Sequence, residues 1–169
     1  AHGPIPAETV DRLRGLGDRV RFIRGNADRE VAADDAWQDG PLGPERLEFL
    51  AGLPEALTLE VEGLGSVVFC HGSPRSDEEI VTAVTPDDRL GRILSGVTAQ
   101  VVVCGHTHHQ FDRVAHGVRV VNAGSVGMPY EGRPGAFWAM LGPDVELRST
   151  AYDLDMAEGR VAALRRCVP

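Results

Sequence analysis

Two histidines one residue apart, His106 and His108, follow the run Val101-Val102-Val103-Cys104-Gly105. The β-branched residues ahead of them favour a buried strand, and Gly105 lets the backbone turn as that strand ends. From such a loop both imidazoles can converge on one point, and imidazole is the commonest protein ligand for a metal. Three other segments have the same form: Gly25-Asn26 after 19–23, His71-Gly72 after 67–70, and Asn122 to Gly127 after 118–121. Sites on sheet proteins form in the crevice beyond the strands' C-terminal ends, so the four segments are expected to share one rim. Three histidines and an amide oxygen make a mixed donor set that suits Mn, Fe, Zn, Co or Ni rather than calcium. The plainer alternative is that these are polar residues of surface loops. There are no cysteine pairs of zinc-finger spacing and no His-Glu-x-x-His helix.

The elements that must hold these residues can be read from periodicity. A helix is expected over 6–16, opened by Pro6 and closed by Gly15 or Gly17. Residues 19–23 alternate as a short strand, and Asp28 is placed to cap a short helix after it. A second helix runs over 44–53 with Leu47 and Leu50 on one face. Residues 57–61 and 67–70 form a hairpin through Glu62-Gly63-Leu64-Gly65. Thr85-Pro86-Asp87-Asp88 starts a helix with Pro86 at its first position and Leu90, Ile93 and Leu94 inward. After the histidines, 111–114 and 118–121 pair around Ala115-His116-Gly117. Residues 136–141 and 145–152 pair around Gly142-Pro143-Asp144. A last helix begins near Asp155, with Val161 and Leu164 inward and Arg165 and Arg166 at its negative end. The class is mixed α/β, with one domain over 1–169.

Composition narrows the function. The 169 residues are 43% hydrophobic and 25% charged, ordinary for a globular protein with a sizeable core. A net charge of −8 excludes sequence-independent binding to long nucleic acids, which needs a basic surface. No apolar run reaches the ~20 residues that span a bilayer, so no membrane role is expected. Three cysteines without a spaced framework point to a reducing compartment, the cytoplasm, and Cys70 and Cys104 are expected as buried free thiols. Ala1-His2-Gly3-Pro4 has no signal-peptide features and reads as mid-loop, as if part of a longer protein preceded it. His2 belongs with a terminal loop rather than with the histidine site.

The ordered set Gly-Asn-x-Asp (25–28), His-Gly (71–72) and Gly-His-Thr-His (105–108) resembles the calcineurin-like metallophosphoesterases. The Asn-Ala-Gly-Ser-Val-Gly loop (122–127) resembles their YfcE-type small bacterial and archaeal branch. The resemblance implies a four-layer α-β-β-α sandwich around two divalent metals, manganese favoured. By motif match, Asn26, His71 and His106 would bind one ion and His108 the other. The implied activity is hydrolysis of phosphodiesters or small phosphorylated metabolites by in-line attack of a hydroxide held between the metals. A homodimer is plausible in this branch. Two departures stand out. The family's Asp-x-His and Gly-Asp strand ends, which supply the remaining ligands, are missing, so an N-terminal βαβ part is expected upstream and this chain alone is not expected to turn over. Position 27 is Ala where many relatives place a His that protonates the leaving group. His109 is the candidate replacement, and Arg75 and Arg133 are candidates to grip phosphate oxygens. Thr107 is expected to shape its loop, as are Gly124 and Ser125; His116 is given no role, and Trp37 and Trp138 are expected to pack. Two rival readings are a non-catalytic interaction scaffold, the role of a retromer subunit of this fold, and a single-zinc structural protein, for which Asn is a poor fourth ligand.

Overall fold

The strand ahead of the histidines, β3 (Val101–Cys104), is buried along its whole length because both faces of its sheet are covered. Successive side chains of a strand point to opposite faces. Val102 and Cys104 pack with Leu90, Ile93 and Leu94 of helix α4 (Asp87–Ile93) and the turn that follows it. Val101 and Val103 pack on the other face with Val67, Val121, Leu141 and Val145. Each fully buried valine contributes about 1.5–3 kcal/mol over its exposed state, which makes β3 a firm base for the loop it feeds.

This computed structural model describes residues 3–34, 37 and 40–165 (of 164 and 165, the backbone only). His2 and Arg166, and the side chains of Leu164 and Arg165, lie outside the described residues. The chain divides into two compact units, residues 55–151 and residues 1–54 with 152–169.

The larger unit holds a mixed five-stranded sheet of order β1-β2-β3-β5-β4. Here β1 is Ala56–Val61, β2 Gly65–Cys70, β4 Phe111–Ala115 and β5 Val118–Asn122. The central pairs β2–β3 and β3–β5 are parallel, whereas the outer hairpins β1–β2 and β4–β5 are antiparallel. A separate hairpin of β6 (Ala136–Leu141) and β7 (Val145–Thr150) supplies Leu141 and Val145 to the sheet face opposite α4. All these strands stand close to their expected bounds. The start of α4 differs: Pro86 (φ −56°, ψ 142°) precedes the helix instead of opening it. The Thr85 hydroxyl accepts from the Thr82 amide (2.8 Å) and caps no helix amide.

The smaller unit carries α1 (Pro6–Arg14), α2 (Asn26–Ala33), α3 (Gly43–Ala51) and α5 (Leu154–Arg165). Its core is Val10, Val31, Leu42, Leu47 and Leu50, with Trp37 packed against it. The Arg46 guanidinium on α3 donates two bonds (2.8 and 2.6 Å) to the Asp11 carboxylate on α1. The strand expected over 19–23 is not formed. Gly17–Arg19 is a short 3-10 turn, and the residues after it run to α2 without joining a ladder among the described residues. Alternation of apolar side chains sets which way they point, but a strand also needs a neighbour to take its hydrogen bonds. Of this stretch, the Arg24 amide reaches the Pro54 carbonyl (2.7 Å). At the start of α2 the Asp28 carboxylate does act as a cap, accepting from the Gly25 amide at 3.0 Å. Among the described residues no helix is long and apolar enough to cross a membrane.

Candidate functional site

The parallel pairing of β2 with β3 brings His71 and His106 together. Phe69 stands opposite Val103, and the ladder continues past both strand ends through the Gly105 amide, which donates to the His71 carbonyl at 2.8 Å. The two imidazoles therefore leave adjacent strand ends, with His71 Nε2 3.2 Å from His106 Nδ1 and ring centroids 5.1 Å apart. Of the two nitrogens, one can donate to the other, or both can turn lone pairs to a single cation. Nitrogens each about 2.0–2.1 Å from one ion, at angles between octahedral and tetrahedral, lie about 2.9–3.4 Å apart. The observed separation falls in that window.

The turn after β3 is made differently from the sequence expectation. Gly105 is not left-handed, and a Cβ there would meet only the His71 carbonyl at an ordinary 3.8 Å. The left-handed residues are His106 (φ 58°) and His108 (φ 57°) themselves. A non-glycine residue held there costs on the order of 1–3 kcal/mol and persists only when its surroundings enforce it. Asn122, fully buried at the end of β5, is the enforcing group. Its Nδ2 donates to the Gly105 carbonyl (2.6 Å) and the Thr107 hydroxyl (3.0 Å), while its Oδ1 accepts from the Gly124 amide (2.9 Å). The Thr107 hydroxyl in turn donates to the Val81 carbonyl at 3.2 Å, so it ties the loop to a distant segment rather than only to itself. The sequence reading placed Asn122 in the loop without this role; an amide closing a valine-rich strand is the signal that marks it.

His108 has a buried Nδ1 with no protein partner. Such an atom costs about 1–3 kcal/mol unless something else satisfies it, and a nitrogen whose partner is not a protein atom is what a ligand position looks like. Tyr130 flanks it, its ring centroid 5.5 Å from that of His108 and its amide donating to the His108 carbonyl at 3.0 Å. His109 is exposed, its Nδ1 3.1 Å from the Tyr130 carbonyl and 3.6 Å from the Glu131 carboxylate. Gln110 holds the surroundings in place: its Nε2 lies within hydrogen-bond distance of the carbonyls of Ala123, Trp138 and Arg148 (2.9–3.1 Å), which share its two hydrogens. Gly124 (φ +81°) has no room for a side chain, since a Cβ would lie 2.7 Å from Gln110 and 2.8 Å from Phe137.

The remaining candidates sit as follows. Asn26 belongs to the smaller unit, where it opens α2 and its amide donates to Glu30 at 3.3 Å. Arg75 meets the Glu79 carboxylate with two bonds (2.9 and 2.6 Å) and the Arg92 carbonyl with a third (3.0 Å). The Arg75 bonds, with the Ser73 hydroxyl (2.7 Å) helping, hold the Glu79 carboxyl below its usual pKa. Arg133 donates to the Ser149 hydroxyl (3.2 Å) and lies over the Phe137 ring. His116 reaches the Asp87 carbonyl (2.8 Å) beside α4. Cys70 and Cys104 are buried free thiols, and burial pushes Cys70 up to about 12 and Cys104 up as well.

Among the described residues no three His, Cys, Asp or Glu side chains form a group able to hold an ion by themselves. The His71–His106 pair has a separation that two ligands of one ion can adopt, and His108 follows His106 by two residues on the same loop.

No curated protein matches the chain. Among solved structures, a hypothetical protein from Pyrococcus horikoshii OT3 shares the fold with a TM-score of 0.79, at 22% identity, over 96% of this chain and 76% of its own. A metallophosphoesterase from Sphaerobacter thermophilus does so with a TM-score of 0.71, at 23% identity, over 95% and 79%. YfcE, a phosphoesterase from E. coli, aligns with a TM-score of 0.46, at 24% identity, over 79% and 59%. The profile of the calcineurin-like phosphoesterase superfamily domain matches residues 3–141. The chain belongs to the calcineurin-like phosphoesterase superfamily.

Proposed function

We propose that the protein is a metal-dependent phosphoesterase, of the YfcE type, acting on phosphodiesters or small phosphorylated metabolites. The observation that carries this reading is the 3.2 Å approach of His71 Nε2 to His106 Nδ1 at the ends of two adjacent parallel strands. His71 and His106 would hold one divalent ion and His108 a second, with manganese favoured. Bound there, the ions supply positive charge to phosphoryl oxygens, which an acidic chain otherwise lacks. The chain's own groups do the positioning. Asn122 and Thr107 hold the loop that aims His106 and His108, and His109 presents an exposed imidazole on that loop. Arg133 and Arg75 border the site loops, and Arg75 would have to leave Glu79 to reach a phosphate. The fold would be the four-layer α-β-β-α sandwich of the superfamily.

Elemental mass spectrometry on this chain and on a fusion that places a relative's Asp-x-His and Gly-Asp segment ahead of it, with hydrolysis of bis-p-nitrophenyl phosphate, tests the reading. Two Mn, Fe, Zn, Co or Ni per fused chain are expected, with activity falling more than about 100-fold in His71→Ala or His108→Ala. No metal and no hydrolysis in the fusion would overturn it and leave the interaction scaffold.

A further inference from the structure

We propose that Tyr130 is a recognition platform for a flat aromatic group carried on the phosphoester, a specificity determinant that rests on the phosphoesterase reading. Three observations converge on it. Its ring lies 5.5 Å from the His108 ring at a 38° tilt, beside a candidate metal-ligating histidine. It is nonetheless 63% exposed. A tyrosine that served only to pack the histidine would bury most of its surface, since tyrosine is a large apolar body with one polar tip. Here one edge touches the site and the rest is open to whatever lies over it.

The third observation is how firmly the backbone beneath this ring is fixed. The Tyr130 amide donates to the His108 carbonyl (3.0 Å), and its carbonyl meets His109 Nδ1 (3.1 Å). The next residue, Glu131, turns a largely buried carboxylate to the Gln110 amide. Upstream, the Met128 amide bonds the Ser125 hydroxyl (3.0 Å), and Val126 and Met128 are further exposed apolar side chains of the same loop. An aromatic side chain on a backbone so tied spends little conformational freedom when a ring stacks on it, and stacking of this kind is tolerant of ring identity. The chemistry selected is a planar, apolar substituent on the anionic ester, in preference to a small alkyl one.

Calorimetric titration with phenylphosphonate and with methylphosphonate, in the presence of Mn²⁺, separates ring recognition from binding of the shared anion. Wild type is expected to bind phenylphosphonate about tenfold more tightly. Tyr130→Ala should abolish that preference and leave methylphosphonate within twofold, and Tyr130→Phe should retain it. Equal affinities in wild type, or a preference that survives Tyr130→Ala, overturn the proposal. So does an equal loss of both ligands in the variant, which would make Tyr130 a support for His108 and no more. Elemental analysis of the same samples for bound Mn reports separately on the parent reading. A protein that binds Mn without phenyl preference sinks the platform alone, and one that keeps the preference with no bound metal sinks the metal-dependent reading alone.

Discussion

Asn122 shows how much of a site can rest on a residue that touches no substrate. Its side chain satisfies three groups in a place with no water access, and the two left-handed histidines depend on the loop it pins. Asn122→Ala would strand the Gly124 amide and leave the Gly105 carbonyl to the Thr107 amide alone. An unpaired buried amide costs about 1–3 kcal/mol, and a loss of that size is expected by urea denaturation; a change below about 0.5 kcal/mol would mean that the loop holds itself. At this scale the sequence disclosed residue types better than conformations. His71, His106 and His108 were recognisable as metal-binding types ending apolar strands. Gly105 was expected to let the backbone turn, because glycine adopts unusual conformations at no steric cost. The histidines carry it instead, an arrangement that only tertiary bonds such as those of Asn122 can impose.

Among the elements, hairpins and amphipathic helices were the readable part, since their patterns and turn residues are local. The segment over 19–23 was not, because a ladder depends on what lies beside it. Arg75 gives a related lesson in the loop after β2: a sequence exposes its charge but not its partner. That partner yields a pH prediction. The Glu79 pKa in the folded protein lies below its ordinary 4.5, chiefly through its bonds to Arg75. The pairing therefore contributes its full stability above that value, and the contribution fades as pH falls through the lowered folded value. Arg75 is half exposed, so the contribution is on the order of 1 kcal/mol or less. Denaturation of wild type and Arg75→Ala should differ by that amount at about pH 6, and the difference should shrink as pH falls below 4.5. A difference that grows on acidification would contradict the pairing.

For the whole molecule the governing quantity is its net charge of −8. An anionic phosphoester approaching it is repelled at long range, and salt screens that repulsion over about 10 Å at 0.1 M. The kcat/KM for bis-p-nitrophenyl phosphate should accordingly rise about two- to threefold between 10 and 200 mM NaCl. A steep fall would instead show that local positive charge governs capture. The parallel ladder between β2 and β3 has a different kind of consequence. Backbone pairing, at about 4.8 Å between strands, fixes the distance between His71 and His106 as a gauge block fixes a tool setting. The segment over 126–130 meets that region largely through main-chain atoms, which every amino acid but proline supplies in full. Recognition is in that sense interchangeable tooling on a permanent jig, and a library randomised over those five positions would search ligand preference while the jig stays as cut.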